Sequence, residues 1–399
     1  MSHPHARATL AATVTGVALV PLNSTMIAVA LPDVGKDLGV SAGRAGVLVL
    51  AYLVAMAMLQ PLSGRVSDRI GHRRLALIAL AGFGLSSLAA GLAPTFALLV
   101  VGRSAQAVFG AGLVPALQAL LRATTDDATR GRAFGLMGTG IGVGAALGPI
   151  VGGLALGIGG WRAIFILNVP VVTAAVVLLL RVPEPTAHVH ASAGEISEAG
   201  LSRSLRSPVF VATCVIQAAS NLGQYALLLV VPLILDSRGW GHGSIGLALS
   251  GLTAGLVILS PVGGRLGDRV GRRLPVATGL AIVLAGLVLS TAVVQRTSSA
   301  MLIAAMTLVG IGMGLSTASV QTAGLEAVPL SVSATAAGLL STSRYIGSIS
   351  CSTVLALTVS DGGHGARPLL GLGAVAGVVA LIAAAQLPGR RVGAWSSTP

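Results

Sequence analysis

Amide side chains recur at helical spacing inside one apolar run of the sequence. Gln217, Asn221 and Gln224 are spaced i, i+4 and i+7, which places three amides on one face of a helix. Amides both donate and accept hydrogen bonds, so this face could bind a polar solute in apolar surroundings. Hydrogen bonding between helices, without any solute, explains the same amides, and both interpretations stay open.

Two arginines, Arg103 and Arg344, also lie within apolar runs. An ionised group in such a place is costly and marks a candidate functional site, although Arg103 could instead bond the carbonyls of a kinked helix. Arg344 shares one helical face with three serines, which are Ser341, Ser348 and Ser352. The predicted solute pathway therefore consists of Asn23, Tyr52, Arg103, Gln106, Gln217, Asn221, Gln224, Gln321 and Arg344.

Acidic side chains are missing from the interior of the apolar runs, and all seven histidines also lie outside them. The carboxylate that commonly relays protons across a membrane is therefore missing. Two arginines within the apolar runs without an acid there favour an anionic, polar or carbonyl-rich solute if both face the pathway. The sequence also lacks a clustered His/Asp/Glu site and a nucleotide-binding loop of the G-x-x-x-x-G-K-[ST] type, so we expect no enzyme, no metal, no cofactor and no direct use of ATP.

The composition is that of a membrane protein. Of the 399 residues, 54% are hydrophobic and 9% are charged, whereas soluble domains carry roughly a quarter charged residues. The net charge of +13 comes from short basic stretches between apolar segments, not from a clustered basic face, which excludes nucleic acid as a partner. The expected surroundings are the lipid bilayer of the cell membrane, crossed several times.

Twelve apolar runs are long enough to cross the hydrocarbon core of a membrane as helices. They span residues 9–31, 43–63, 74–93, 96–121, 132–156, 161–181, 208–233, 243–263, 274–294, 299–325, 333–357 and 368–387. The one long polar segment, 182–207, separates the sixth run from the seventh. The sequence therefore predicts a six-helix bundle in residues 1–181, a cytoplasmic linker, and a second bundle in residues 208–399.

A charged stretch after the second run recurs 200 positions later, after the eighth: PLSGRVSDRIGHRR at 61–74 and PVGGRLGDRVGRRL at 261–274. Six runs separate the copies, so both lie on the same side of the membrane and the halves are parallel repeats. The loops on that side and the two termini carry 17 of the 25 lysines and arginines, against 6 in the opposite loops. This bias predicts that both termini and both copies are cytoplasmic.

The recurring stretch resembles the signature loop of the major facilitator superfamily, G-x-x-x-D-R-x-G-R-R. Its matching residues are Gly64, Asp68, Arg69, Gly71 and Arg73 in the first copy, and Gly264, Asp268, Arg269, Gly271 and Arg273 in the second. The glycines would allow a close helix approach and a tight reversal, and the acids would meet arginines or a helix N-terminus, forming a gating latch. Charge that only sets topology is the alternative, but it would require neither the acids nor the glycines.

Other motifs resemble the drug and metabolite exporters of that superfamily. The fifth run contains their antiporter motif, formed by Gly135, Gly144, Gly148, Pro149, Gly152 and Gly153, whose small residues permit close packing and whose proline bends the helix. Arg103 with Gln106, and the stretch WRAIFILNVP at 161–170, are also similar to this branch. In the first run, Asn23 stands where these exporters usually have an aspartate, and Asn cannot take up a proton.

The resemblance implies an all-α major facilitator fold of twelve transmembrane helices and a secondary active transporter that exports small organic molecules by alternating access. Proton antiport is implied by the motifs and weakened by Asn23. The alternative is a proton-independent exchanger or facilitator of an organic anion. We expect the transporter to be a monomer.

Overall fold

The computed structural model describes the chain except for residues 1–3, 41–44, 46, 183–204, 241, 294–298, 359–365 and 390–399. Within the described part every regular element is helical and none is a strand. Helices satisfy their backbone hydrogen bonds internally, as the hydrocarbon core of a membrane requires. The α-helices are α1 (Pro4–Asp37), α2 (Val47–Ile70), α3 (His72–Gly91), α4 (Phe96–Ala123), α5 (Arg130–Ile166), α6 (Asn168–Leu180), α7 (Pro208–Ser237), α8 (His242–Val270), α9 (Arg273–Val293), α10 (Ser299–Glu326), α11 (Ser333–Thr358) and α12 (Ala366–Ala383).

Glycine and proline set the breaks between and within these helices. Gly71 separates α2 from α3 with φ +100°, and Gly271 separates α8 from α9 with φ +90°. Both angles lie in the region that favours glycine, which explains the tight reversal in each copy of the repeated stretch. Within α5 the axis bends by 46° between Gly148 and Ile150. Pro149 lies at this break and lacks the N–H that would continue the helix, so the predicted bend is present.

Eight described helices are long and apolar enough to cross a membrane, and nine if the bent α5 counts as one span. Large apolar side chains on their outer faces are exposed, among them Leu85, Val101 and Ile382, as expected where lipid replaces water as the surroundings. The twelve predicted spans and the cytoplasmic position of the termini stay predictions. Most of the predicted linker lies outside the described residues.

The contacts within the chain divide it into two compact units. Unit 1 consists of residues 1–126, 140–201 and 329–342, and unit 2 consists of residues 127–139, 202–328 and 343–399. The N-terminal turns of α5 therefore belong to unit 2, and those of α11 belong to unit 1. The apolar core of unit 1 includes Met26, Leu48 and Phe165, and that of unit 2 includes Leu227, Leu287 and Met306.

Candidate functional site

In unit 1 the C-terminal part of α2 contacts the N-terminal turns of α11. The Asp68 carboxylate accepts hydrogen bonds from the backbone N–H groups of Ala334 and Thr335, both at 2.9 Å, and from the Thr335 hydroxyl at 2.6 Å. The first backbone N–H groups of a helix lack partners in the helix and carry positive partial charge, so a carboxylate binds well there. We call the contact of residues 57–68 with residues 334–342 the first helix contact.

In unit 2 the equivalent part of α8 contacts the N-terminal turns of α5. The Asp268 carboxylate accepts hydrogen bonds from the backbone N–H groups of Gly131 at 2.8 Å and Arg132 at 2.9 Å. It also accepts one from the Arg272 guanidinium at 2.9 Å. We call the contact of residues 257–268 with residues 131–139 the second helix contact. Both aspartates of the repeated stretch therefore bind the N-terminus of a helix from the other half of the sequence.

The two contacts repeat each other turn by turn. A Cβ atom on Gly64 would collide with the backbone of Ala334, and one on Gly264 with the backbone of Gly131. Glycine is therefore required where the helices approach most closely. One turn further, the paired glycines are Gly338, whose Cβ would collide with the backbone of residues 60–61, and Gly135, whose Cβ would collide with that of residues 260–261.

Threonine hydroxyls close the opposite end of each contact. Thr342 donates to the carbonyl oxygen of Ala57 at 3.0 Å, and Thr139 donates to that of Val257 at the same distance. The residues on α2 and α8 differ by 200 positions throughout, and those on α11 and α5 by 203. The sequence pattern A-x-G-L-x-x-T, at 133–139 and again at 336–342, is the signal that predicts this second repeat, and our sequence analysis missed it.

The surroundings of the two contacts differ in charge. Beside Asp268, Arg272 forms ion pairs with both Asp268 and Glu326, each at 2.9 Å, and Glu326 pairs in turn with Arg130. Burial alone would lower the pKa of Arg272, but its bonds to Glu326 and Asp268 raise it, so the guanidinium stays charged. Negative and positive side chains therefore alternate in a partly buried network.

The first contact has fewer charged side chains around its aspartate. His72 stands at the position of Arg272, and its Nδ1 shares a hydrogen bond with the Ser67 hydroxyl at 3.0 Å. Arg122 donates to the Ser333 hydroxyl at 3.2 Å. The remaining predicted latch residues lie near the chain reversals. The Arg73 guanidinium donates to the carbonyl oxygens of Leu179 and Leu180, and the backbone N–H of Arg273 donates to the carbonyl oxygen of Pro388. Arg69 and Arg269 are exposed.

A buried polar cluster lies in unit 1 around Arg103. Arg103 is 1% exposed, and its guanidinium lies 3.9 Å from the centre of the Tyr52 ring and donates to the Gln106 side-chain carbonyl at 3.0 Å. Gln106 in turn donates to the Ser87 hydroxyl. No carboxylate pairs with Arg103 among the described residues. A cation–π contact and an amide therefore take the place of a counter-ion.

The same cluster extends to Asn23 through a residue outside the predicted pathway. The side-chain amide of Asn168 donates to the Asn23 side-chain carbonyl at 2.9 Å and to the Ser87 hydroxyl at 3.4 Å. All three of these side chains are fully buried. Asn168 belongs to the stretch at 161–170 that resembles the drug and metabolite exporters. That resemblance did not predict this contact. The structure thus brings together Asn23, Tyr52, Arg103 and Gln106.

The other predicted pathway residues lie in unit 2. Gln217 and Gln321 are buried, and Gln224 and Arg344 are partly buried. Asn221 donates its side-chain amide to the carbonyl oxygen of Gln217, which is a bond within α7 and not between helices. One of the three amides on this face is therefore used by its own helix. No group of three or more potential metal ligands occurs in the described part of the chain.

The glycines of the antiporter motif pack α5 against two different helices. In unit 1, added Cβ atoms would collide with the Ala18 backbone from Gly144 and with Thr25 from Gly148, and would press on Met26 from Gly152. In unit 2, Gly135 belongs to the second helix contact. Gly153 differs from the others because a Cβ there would meet nothing within 4 Å.

An ion pair at the other end of unit 1 also escaped the sequence analysis. Asp37, the last residue of α1, accepts hydrogen bonds from the Trp161 indole at 2.9 Å and the Arg162 guanidinium at 2.6 Å. These two bonds lower the pKa of Asp37 below its ordinary value of 3.8. Gly160, with φ +65°, turns the chain immediately before Trp161. The group therefore ties the end of α1 to the non-helical break at Gly159 and Gly160 within α5.

Comparisons with known proteins place this fold and these motifs in a family. The chain is 28% identical over 394 residues to the multidrug resistance protein Stp of Mycobacterium tuberculosis, covering 85% of this chain and 73% of that one. It is 40% identical over 169 residues to the tetracenomycin C resistance and export protein of Streptomyces glaucescens, covering 42% and 31%.

Among solved structures, a single-substitution variant of the fucose:proton symporter FucP of E. coli superimposes with a TM-score of 0.78 at 16% identity, covering 94% of this chain and 97% of that one, which shows the fold alone. The profile of the Major Facilitator Superfamily matches residues 13–350 and 213–398. The chain is a multi-pass membrane transporter and belongs to the Major Facilitator Superfamily.

Proposed function

We propose that this transporter exports small organic molecules by alternating access, and that the two helix contacts are latches that form and break in each cycle. The observation that carries the proposal is the repetition of one contact, turn by turn, at equivalent points of the two sequence halves. Such a contact joins residues far apart in the sequence through a few hydrogen bonds, which suits an interface that must also open. The similarity to resistance and export proteins supports the direction of transport.

The test is substrate flux in proteoliposomes that contain the purified full-length protein. Tetracenomycin C is the first probe, together with organic cations, neutral compounds and organic anions of similar size. Flux of at least one probe should depend on the protein and should fall in the Asp68→Asn and Asp268→Asn variants. Flux equal to that of empty liposomes for every probe would contradict the exporter proposal, and flux unchanged in both variants would contradict the latches.

A proton-independent exchanger or facilitator of an organic anion is the second candidate. The observation that favours it is the cluster around Arg103, in which Asn23 pairs with another amide and the buried cation has no carboxylate partner among the described residues. Asn23 and Asn168 cannot exchange protons, whereas a carboxylate in this place could.

An imposed pH gradient distinguishes the two coupling modes. Proton antiport requires export to accelerate when the receiving side is acidic, and flux indifferent to the gradient favours the second candidate. The Asn23→Asp variant is the matched control: coupling that appears only in the variant would show that this position lacks the proton-carrying group. Loss of flux for anions alone in Arg103→Ala and Arg344→Ala would identify the substrate class of the second candidate.

We further propose twelve spans arranged as bundles 1–181 and 208–399, with a cytoplasmic linker and cytoplasmic termini. The support is the alternation of apolar runs and the excess of arginine on one side. Single cysteines at Arg69 and Asp37, in a variant without the two native cysteines, test the orientation in intact cells. A membrane-impermeant maleimide should label position 37 and not position 69. The reverse pattern would refute the orientation.

A further inference from the structure

Each helix contact contains a buried polar side chain that has no hydrogen-bond partner among the described residues. Gln60 on α2 is 0% exposed, and neither its side-chain oxygen nor its nitrogen has a hydrogen-bond partner among the described residues. Ser260 on α8 is 0% exposed, and its hydroxyl likewise has no partner in the described part of the chain. The two positions differ by 200 residues, so they are equivalent in the repeat.

The neighbouring positions of the same contacts are satisfied. One turn away, Thr342 and Thr139 donate across the contact to the carbonyl oxygens of Ala57 and Val257. Two turns away on the other side, Asp68 and Asp268 bind the helix N-termini. The missing partners are therefore specific to Gln60 and Ser260.

The opposing helix packs closely at both positions. Gly338 lies against the backbone of Gln60 and Pro61, and a Cβ on Gly138 would collide with the Ser260 hydroxyl. In the closed contacts the Gln60 and Ser260 side chains are buried with no hydrogen-bond partner among the described residues. A buried polar group that loses its hydrogen bonds to water and gains none from the protein destabilises the state that buries it.

We infer that Gln60 and Ser260 are positioning residues for transport, each of which opposes closure of its own helix contact so that the contact can open again. The inference rests on the proposed latches. When a contact opens toward the cytoplasm, the Gln60 amide or the Ser260 hydroxyl regains hydrogen bonds to water. The unsatisfied group thus shifts the equilibrium toward the open contact by about tenfold or more, while Asp68, Asp268 and the threonines shift it toward the closed one.

Spin labels across each contact measure this equilibrium. In a variant without the native cysteines, a label pair at Ile70 and Leu330, which are 39% and 41% exposed, reports on the first contact. A pair at Val270 and Ala128, both exposed, reports on the second. Pulsed electron paramagnetic resonance in proteoliposomes gives the ratio of long to short distances, and hence of open to closed contacts.

Gln60→Met keeps the length of the side chain but removes its polar groups, and it should lower the open-to-closed ratio of the first contact about tenfold or more. Gln60→Asn keeps an amide and should restore a ratio near that of the wild type. Ser260→Ala should lower the ratio of the second contact and leave the first unchanged. The matched controls Thr342→Val and Thr139→Val remove satisfied bonds in the same contacts, so they should raise the ratio.

The Asp68→Asn background makes the outcome decisive, because its open population should be large enough to measure accurately. There, adding Gln60→Met should lower the open fraction. If Asp68→Asn opens the contact and Gln60→Met changes nothing or opens it further, the role of Gln60 is refuted while the latch stands. If Asp68→Asn leaves the distances unchanged, the latch itself fails, and the inference fails with it.

Discussion

Neutralising Asp68 should open the first helix contact, and the structure gives the size of the effect. Its carboxylate accepts two backbone hydrogen bonds at 2.9 Å and one hydroxyl bond at 2.6 Å. Asn at this position keeps one acceptor oxygen, loses the negative charge at the N-terminus of α11, and places an N–H group beside other donors. Hydrogen bonds to a charged group contribute about 1.5–3 kcal/mol each, and a charge at a helix N-terminus contributes up to about 2 kcal/mol.

These contributions overlap, so we expect Asp68→Asn to destabilise the closed first contact by about 3 kcal/mol, which is on the order of a hundredfold in the open-to-closed ratio. Thr335→Val is the graded control because it removes only the hydroxyl bond and keeps both backbone N–H donors. Its expected effect is about 1.5 kcal/mol, or roughly tenfold, at the lower end of the range for a bond to a charged group. The label pair at Ile70 and Leu330 measures both variants directly.

The second contact predicts a different response to substitution. Asp268→Asn removes the charge from a network in which Arg272 keeps its pair with Glu326, so the contact should loosen while Arg272 remains bound. Glu326→Gln added to Asp268→Asn leaves Arg272 buried without an anionic partner, and should destabilise unit 2 by about 3–5 kcal/mol. An equal change in the open-to-closed ratio for Thr335→Val and Asp68→Asn would refute the reasoning on the first contact. A double variant as stable to heat as Asp268→Asn alone would refute the reasoning on the second.

Three further outcomes follow from contacts inside unit 1. Gly144→Ala should lower the midpoint of thermal unfolding by several degrees because its Cβ would collide with a neighbouring helix. Gly153→Ala should leave the midpoint unchanged because a Cβ there meets nothing within 4 Å. Equal midpoints for the two variants would contradict the packing described for α5. Asn168→Leu should cost about 1–3 kcal/mol of stability, measured by thermal or chaotrope unfolding in detergent, because it leaves the Asn23 carbonyl buried without its donor. Hydrogen bonds from Trp161 and Arg162 lower the pKa of Asp37 below 3.8. The ionised carboxylate therefore stabilises the folded protein fully above pH 3.8, and this stabilisation is lost as the pH falls through the lowered pKa. Trp161 fluorescence should therefore be constant from pH 8 to about 5 and change only below about 4, and a transition near pH 6 would argue against this tether.

Much of the fold follows from the sequence because its signals are strong and local. Apolar runs, the proline at position 149 and the glycines at 71 and 271 each act on the backbone where they stand, so the helices, the bend and the reversals were all predictable. The repeated stretch also indicated an acid that meets either arginines or a helix N-terminus. It did not indicate which helix, because that choice depends on contacts between residues more than 130 positions apart.

The polar cluster was harder to predict for a related reason. Asn23, Arg103 and Gln106 were recognisable as polar residues in apolar runs, but their grouping depends on how the helices of unit 1 pack. Asn168 and Ser87 complete the hydrogen bonding and carry no periodic signal. The amides of α7 lie on one face of a helix, as their spacing predicted. The side-chain amide of Asn221 nevertheless donates to a carbonyl oxygen of its own helix.

The two helix contacts share the residues that meet the backbone of the opposing helix and differ in the side chains around them. The acid, the close glycines and the threonine bond all involve backbone atoms of the opposing helix, which are present whatever side chains that helix carries. These features occur in both contacts. The surrounding side chains differ, with Arg272 and Glu326 in one and His72 and Ser67 in the other. A transporter with equivalent contacts but unequal charge around them can open the two contacts at different free energies.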